Sequence, residues 1–531
     1  RRYTAALIDE FQDTDPVQAQ VLFLLASDPS HDARTPSWTR ATLRPGALFV
    51  VGDPKQSIYR FRRADITTYA TAKELLERQG AVLSLTANFR SVPPIAKLVN
   101  AHFGGGGVFP ATQTAQQAQF AQMKPMRDPV TLAGVFYYDI VAAKAKPAAG
   151  DVVEMDAEWV ASFIEARIAA KERTPEDFLV LCRGKDPLAA YARELAKRNI
   201  PASVTGARTE YENELRELQI VLQLLDDPTN AILTVAALEG VFVGATPADL
   251  WAAKQVGLAF QVAVAPASTT GDDDARVARV RAGLEQLHEW LVLSRRVASD
   301  ELLETMLDDT GLLARTAAGD LGDQRAGLLL DLVARVRSAT IDRNIVEVTA
   351  LSVLDRLIVN EAPEASLRPG RTDAVRVMNL HKAKGLEATV VILAAPTLMG
   401  THDVRVAVRR EGEVAKGGLP IVHGKGNSAI VLAEPVDWEM QAANEQAFLD
   451  AEQDRLLYVA ATRAGEELVI ARLVVTPAND PPRIADQAAW SGLQPTLADY
   501  ATAIKRAPTA AAGRERLDEQ SRDIIARVAA T

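Results

Sequence analysis

The chain of 531 residues carries a single cysteine, Cys182, so no disulfide can form within it, which fits a reducing compartment. Because Cys182 follows the apolar run Phe178-Leu-Val-Leu181, it reads as the inert end of a buried strand. No run of about 18 apolar residues occurs, which excludes a membrane-spanning helix. Arg1, Arg2, Tyr3 and Thr4 form no apolar signal core, so export is not expected. Also absent is any Gly-x-x-x-x-Gly-Lys-Ser/Thr, the loop whose amides and lysine cradle nucleotide phosphates. The net charge of −10 argues against a protein that coats nucleic acid by bulk electrostatics, but leaves room for a local groove.

What is present is ordinary globular material, 48% apolar and 24% charged, with length for two to four domains. Its most informative stretch is Leu7 to Asp13, Leu-Ile-Asp-Glu-Phe-Gln-Asp. Two apolar residues closing a strand would present Asp9 and Glu10 at the carboxyl edge of a parallel sheet, where open α/β folds bind ligands. Asp9 can there help hold Mg²⁺ while Glu10 orients and deprotonates a water. A solvated strand end is the alternative. Asp15, Pro16 and Gln18 then open a helix by cap, first-turn proline and capping box, with Val21, Leu22, Leu24 and Leu25 expected on its buried side.

A second apolar run, Ala47 to Val51, leads into Gly-Asp-Pro-Lys-Gln-Ser from Gly52 to Ser57. Next comes Tyr59-Arg-Phe-Arg-Arg63, rings interleaved with cations, with Lys55 just before. Such a stretch suits single-stranded nucleic acid, because bases stack on rings while phosphates pair with cations. A solvated turn with two rings packed inward is the other reading. Val82 to Thr86 reads as a strand leading to Asn88-Phe89-Arg90, and Arg90 can serve as an arginine finger or as a surface ion pair. Gly104 to Gly107 is read as a flexible loop. From about Val130 strands and helices alternate, predicting a parallel sheet. Between about 241 and 370 strand signals almost vanish and amphipathic helices dominate. Val375 to Met378 and Thr389 to Leu393 return as strands on either side of His381-Lys-Ala-Lys-Gly-Leu-Glu387. A loop-like stretch spans 403–428. The helix Ala442 to Thr462 delivers Arg463, either to a nucleotide cleft or to the helix C-terminal dipole.

Five blocks in order, Asp9-Glu-Phe-Gln-Asp13, Gly52-Asp-Pro-Lys-Gln-Ser57, Leu85-Thr-Ala-Asn-Phe-Arg-Ser91, Val377-Met-Asn-Leu-His-Lys-Ala-Lys-Gly-Leu-Glu387 and Asp454-Arg-Leu-Leu-Tyr-Val-Ala-Ala-Thr-Arg-Ala464, resemble motifs II to VI of superfamily 1 helicases of the UvrD/RecB/AddA type. The resemblance implies α/β, RecA-like motor domains: a first one over 1–84, of which an upstream part is missing, and a second over 85–240 and 371–475. An all-helical insertion would occupy 241–370 and a helical tail 476–531. It also implies an ATP-dependent DNA helicase moving 3′ to 5′ in bacterial recombinational repair, with ATP and Mg²⁺, in the cytoplasm. Asp9, Glu10, Gln56, Arg90 and Arg463 would be catalytic. Phe89 would stack on adenine, Gly385 would lie in the loop near the nucleotide, and Glu387 would touch the sugar. Lys55, Tyr59, Arg60, Phe61, Arg62 and His381 would form the DNA track. The expected partners are single-stranded DNA, duplex junctions and AddB- or RecC/RecD-like subunits.

Two departures from the family pattern are Arg63, where relatives usually have glycine, and Ala388, where they usually have an aromatic residue. The chain is expected to be a fragment beginning inside a domain and, lacking the phosphate loop, to bind ATP poorly alone. Two rivals are a helicase–nuclease subunit continuing beyond Thr531 and a non-catalytic DNA-binding scaffold.

Overall fold

The computed structural model describes residues 4–28, 37–104, 108–205, 212–267, 274–319, 322–341, 350–359, 372–400, 404–411, 414–424, 430–478 and 480–504. The chain divides into two compact units, Arg1–Ala202 with Asp373–Thr531, and Ser203–Thr372.

In the first unit, β1 (Ala6–Ile8) pairs in parallel with β2 (Leu48–Val50), Ala6 opposite Leu48 and Ile8 opposite Val50. Helix α1 (Pro16–Ala26) starts as expected, with Asp15 accepting from the amides of Val17 and Gln18 and Gln18 closing the box. Its buried face differs from the expectation. Val21 and Leu25 are exposed, whereas Ala19, Phe23 and Ala26 are buried, because the aromatic ring of Phe23 packs between Phe11 and Trp38. Helix α2 (Ile66–Gln79), capped by Asp65, covers the same small core with Ala72 and Leu75.

The strand expected over Val82 to Thr86 does not form. Leu83 and Leu85 lie exposed, and pairing is limited to β3 (Ala87–Asn88) on β4 (Lys124–Pro125). Alternating apolar residues do not make a strand without a neighbouring strand to satisfy the backbone. After α3 (Pro93–Phe103) comes β5 (Gly134–Ala142), then α4 (Ala149–Ala169), β6 (Phe178–Cys182), α5 (Leu188–Ala196) and β7 (Ala202–Thr205), which falls at the border of the units.

The first unit resumes with β8 (Val375–Asn379), β9 (Ala388–Leu393) and two antiparallel pairs, β10 (Ala407–Glu411) with β11 (Val414–Gly418) and β12 (Ile421–His423) with β13 (Ile430–Ala433). The stretch read as a loop is thus partly stranded. Helix α14 (Trp438–Ala461), β14 (Ala464–Val475), β15 (Arg483–Ile484), α15 (Gln494–Tyr500) and β16 (Thr502–Ala503) complete it.

The main sheet runs β16-β5-β14-β9-β6-β8, all parallel, with β15 antiparallel on β14. Strands buried on both faces need continuous apolar runs, and Phe178–Cys182 is buried at every residue. Burial pushes the Cys182 thiol well above its usual range, which fits an inert strand end. The segment after 476, expected to be a helical tail, adds strands to this sheet as far as 504. Residues 505–531 and Gly105 to Gly107 lie outside the described residues.

Behind the sheet, Asp156 of α4 is fully buried and accepts from the hydroxyls of Tyr138 and Tyr191 and the amide of Ala395. Burial pushes its carboxyl up to about 6 despite these donors. The folded chain therefore binds this proton more tightly than the unfolded one. Stability should fall as pH rises from about 4 to 6, by roughly 3 kcal/mol from this group. Thermal melts of wild type and Asp156→Asn across that window should differ by this slope, and parallel curves would refute the assignment.

The second unit is helical: α6 (Glu212–Asp226), α7 (Ala231–Glu239), α8 (Pro247–Gln255), α9 (Ala275–Ser294), α10 (Ser299–Thr310), α11 (Leu312–Ala318), α12 (Gly322–Ile341) and α13 (Ala350–Val359). They share one core, with Trp290 at its centre donating to Asp309 at 2.8 Å. This unit begins earlier than the helical insertion expected from 241, because α6 and α7 pack into its core. The helix expected over Ile345 to Asn360 is described at Ala350–Val359, its flanks lying outside the described residues.

Candidate functional site: an acidic strand end facing two arginines

At the end of β1 the backbone turns sharply. Glu10 has φ 52° and ψ 38°, a left-handed conformation uncommon for a residue with a side chain. Its amide bonds to the Asp9 carboxylate at 2.8 Å. Both are exposed, as groups that meet a ligand must be. The neighbouring Gln12 is buried and donates to Glu10, while its carbonyl oxygen Oε1 accepts from the Asp53 amide at 3.0 Å. A Cβ on Gly52 would stand 2.6 Å from that same Oε1, which is why glycine ends β2.

Gln56 follows on a short turn, its Nε2 donating to Asp53 at 3.0 Å and its Oε1 facing Arg463 Nη2 at 3.3 Å. The register of the main sheet places the remaining groups. Ala388 and Ala464 are opposite one another on β9 and β14, so the residues just before them, Glu387 and Arg463, emerge side by side. Ser91 bonds to the Ala464 carbonyl and Val92 to that of Gly465, which ties Arg90 to the same edge. There Arg90 pairs with Glu387 and donates to the Thr462 carbonyl at 3.1 Å. Phe89 beside it is 73% exposed. Gly385, at φ 79°, makes the turn that a side chain would strain.

Arg463 is 1% exposed. Its Nε caps the end of α14 through the Val459 carbonyl at 2.9 Å, and Nη1 reaches the Leu386 carbonyl at 3.3 Å. One edge of the guanidinium thus serves the helix end, while Nη2 faces Gln56. Burial, with Arg90 adding to it, pulls its pKa down to about 10, which keeps it charged at neutral pH.

Lys384 is not among the expected site residues, since the sequence offers its loop of one histidine, two lysines and a glycine either as a phosphate path or as a solvated turn. Its ammonium bonds Asp13 at 2.5 Å and the Gln56 carbonyl at 2.8 Å, and lies 3.3 Å from Glu10. Burial pushes the Asp13 carboxyl up and Lys384 opposes it. No signal in the sequence links positions so far apart, and the two lysines beside His381 look alike there.

On the other side of Lys384 lies an aromatic cluster. Tyr59, Phe61 and His381 have ring centroids 5.4 to 6.1 Å apart, and the Tyr59 hydroxyl donates to the His381 carbonyl at 2.8 Å. Arg62 lies over both Tyr59 and Phe61, and Phe61 is 65% exposed. His381 is held below its usual pKa by burial and then by Arg183, Lys185 and Arg62.

Two residues expected in this track are placed elsewhere. Lys55 pairs with Asp53 at 2.7 Å and lies over the Tyr458 ring. The Arg60 guanidinium is bonded edge-on to Glu445 and stacked 4.1 Å from the Phe448 ring. Arg60 and Arg62 lie in a 3₁₀ turn, whose three-residue period sends positions two apart in different directions, and spacing alone does not show which faces solvent.

Among the described residues no group of three or more His, Cys, Asp or Glu gathers to hold a metal. Mg²⁺ is ordinarily bound through one or two carboxylates together with substrate phosphates and water. Asp9 is an exposed oxygen donor of the right hardness, and Asp13 Oδ1 nearby is buried without a hydrogen-bond partner.

A parallel sheet flanked by helices, with this acidic strand end and arginine edge, defines an α/β protein of the RecA-like helicase type. Residues 1–77 match the UvrD/REP helicase N-terminal domain and residues 329–473 the UvrD-like helicase C-terminal domain. Among curated relatives it is similar to an ATP-dependent helicase/nuclease subunit from Anoxybacillus flavithermus, at 26% identity over 88% of this chain and 40% of the relative. The subunits of the same name from Desulforudis audaxviator and Acetivibrio thermocellus are 29% and 26% identical, each over 88% of this chain and over 39% and 40% of their own lengths. The chain thus spans about two fifths of these relatives.

Proposed function

We propose that this chain is the hydrolytic and DNA-tracking part of an ATP-dependent DNA helicase of the AddA type, acting on single strands and duplex junctions in bacterial double-strand break repair. The observation that carries the reading is the meeting of Asp9, Glu10, Gln56 and Arg463, from opposite ends of the chain, beside a cationic aromatic cluster. Glu10 takes the proton of the attacking water. Arg90 and Arg463 stabilise charge developing on the γ-phosphate, and Gln56 reports the state of that phosphate to the turn it sits on. Phe89 stacks on the base, and Glu387 holds the sugar once Arg90 has turned to phosphate. Mg²⁺ held through Asp9 neutralises phosphate charge when bound. Tyr59, Phe61 and His381 stack on nucleobases while Arg62 meets the backbone.

The relatives are helicase/nuclease subunits, which supports a place in a two-subunit helicase–nuclease with an AddB-like partner in the cytoplasm. Among the described residues no helix is long and apolar enough to cross a membrane. The test is ATP hydrolysis by the full natural chain with and without oligo-dT, together with unwinding of tailed duplexes. Turnover stimulated by DNA, and unwinding that needs a 3′ tail, is expected. Hydrolysis indifferent to DNA would refute the helicase reading, and DNA binding without any hydrolysis would favour a scaffold.

A further inference from the structure

Helix α14 carries a stripe of side chains that the proposed chemistry does not use. Glu445, Phe448, Glu452 and Arg455 follow at spacings of three, four and three, so they share one helical face. Each meets the segment 57–62. Both Glu445 oxygens accept from Arg60, at 2.7 and 2.6 Å, and the Phe448 ring lies against the same guanidinium. Glu452 accepts from the Arg60 amide at 3.0 Å, and Arg455 Nε donates to the Ser57 carbonyl at 2.7 Å. Arg455 also donates to the Gln116 carbonyl at 2.7 Å and to Gln117 Oε1 at 3.1 Å, and Gln117 bonds back to the Ala451 carbonyl. Glu445, Glu452 and Arg455 are all buried.

The segment held in this way has two active ends. Gln56 stands just before it on the nucleotide side, and Tyr59 and Phe61 within it form the aromatic cluster. The helix that holds it ends at Ala461, two residues before Arg463, which faces Gln56 again. From Glu445 to Ala461 the helix extends about 24 Å as one rigid piece. A bidentate arginine–carboxylate pair fixes angle as well as distance, and a buried one adds little stability over apolar packing. The apolar packing of Ile58 against the core that holds Leu456 and Leu457 already joins the segment to the helix; four hydrogen bonds added to it therefore point to control of orientation.

From this geometry we infer that Arg60, Glu445 and Arg455 are positioning residues that couple nucleic acid on the aromatic cluster to the placement of Arg463 and Gln56 at the phosphates. A strand stacking on Tyr59 and Phe61 shifts segment 57–62, Arg60 and Arg455 carry the shift into α14, and α14 moves Arg463. The inference rests on the proposed function and deepens it.

The test uses the full natural chain, and reads ATP turnover without DNA, turnover at saturating oligo-dT, and the Kd for labelled oligo-dT. Glu445→Gln should leave DNA-free turnover and Kd within about two-fold while the stimulation by DNA falls about five-fold or more. The double reversal of Arg60→Glu with Glu445→Arg should recover most of that stimulation. Arg455→Lys, which keeps the charge but cannot span Ser57 and Gln117 together, should lower it as well and serves if Glu445→Gln does not fold. Unchanged stimulation in Glu445→Gln or Arg455→Lys would overturn the coupling. So would a Kd rising in step with the loss, which would make Arg60 a DNA contact. Wild type without DNA-stimulated turnover would overturn the proposed function itself, a result the single variants cannot mimic.

Discussion

Glu10→Gln in the full natural chain is expected to lower ATP turnover by a factor of about 10² to 10⁴, the usual worth of a general base. The amide keeps the size of the carboxylate and can still accept from Gln12. What it loses is the ability to take a proton, and the charge that stands 3.3 Å from Lys384. Because Glu10 is exposed at a strand end, the fold should be unaffected, and oligo-dT affinity should stay within about two-fold. A variant that turns over ATP at the wild-type rate would end the assignment of Glu10 as the base.

If Arg463 acts at the phosphates as proposed, Arg463→Lys is expected to cost about 10³ in turnover, the scale of an arginine finger. The substitution separates the proposed role at the phosphates from the contact with the helix end. A lysine ammonium keeps the positive charge at the end of α14, so a residue present for the helix dipole would tolerate it. It cannot donate at once to the Val459 carbonyl, the Leu386 carbonyl and Gln56, as the planar guanidinium does. Turnover near wild type in a variant with an unchanged melting curve would leave the helix end as its sole function.

The sequence was legible where a local rule carries the information. Asp15 with Gln18 announced the start of α1, and the apolar run Phe178–Leu181 announced a buried strand ending at Cys182. The same reading failed where pairing or direction is a tertiary matter. Val82 to Thr86 alternates like a strand but finds no neighbour, and the stretch read as a loop, rich in glycine, does pair as hairpins. Helix α1 is apolar nearly all round, so its pattern could not say that Phe23, and not Leu25, faces Phe11. In Tyr59-Arg-Phe-Arg-Arg63 every cation looked equally available, yet Arg60 is bonded to a helix almost four hundred residues away.

By itself, then, the sequence determined the residue types and their order: two carboxylates closing an apolar strand, arginines after apolar runs, and rings between cations. Those follow from short-range chemistry, because a strand end, a cap or a turn is set by a few neighbouring residues. Only the tertiary structure decided which of them meet. Lys384 reaches Asp13, Arg463 reaches Gln56 and Arg60 reaches Glu445 because sheet register and helix packing bring together segments that no spacing rule connects. The partner of a charge is set by where the fold leaves it, and that is a property of the whole chain.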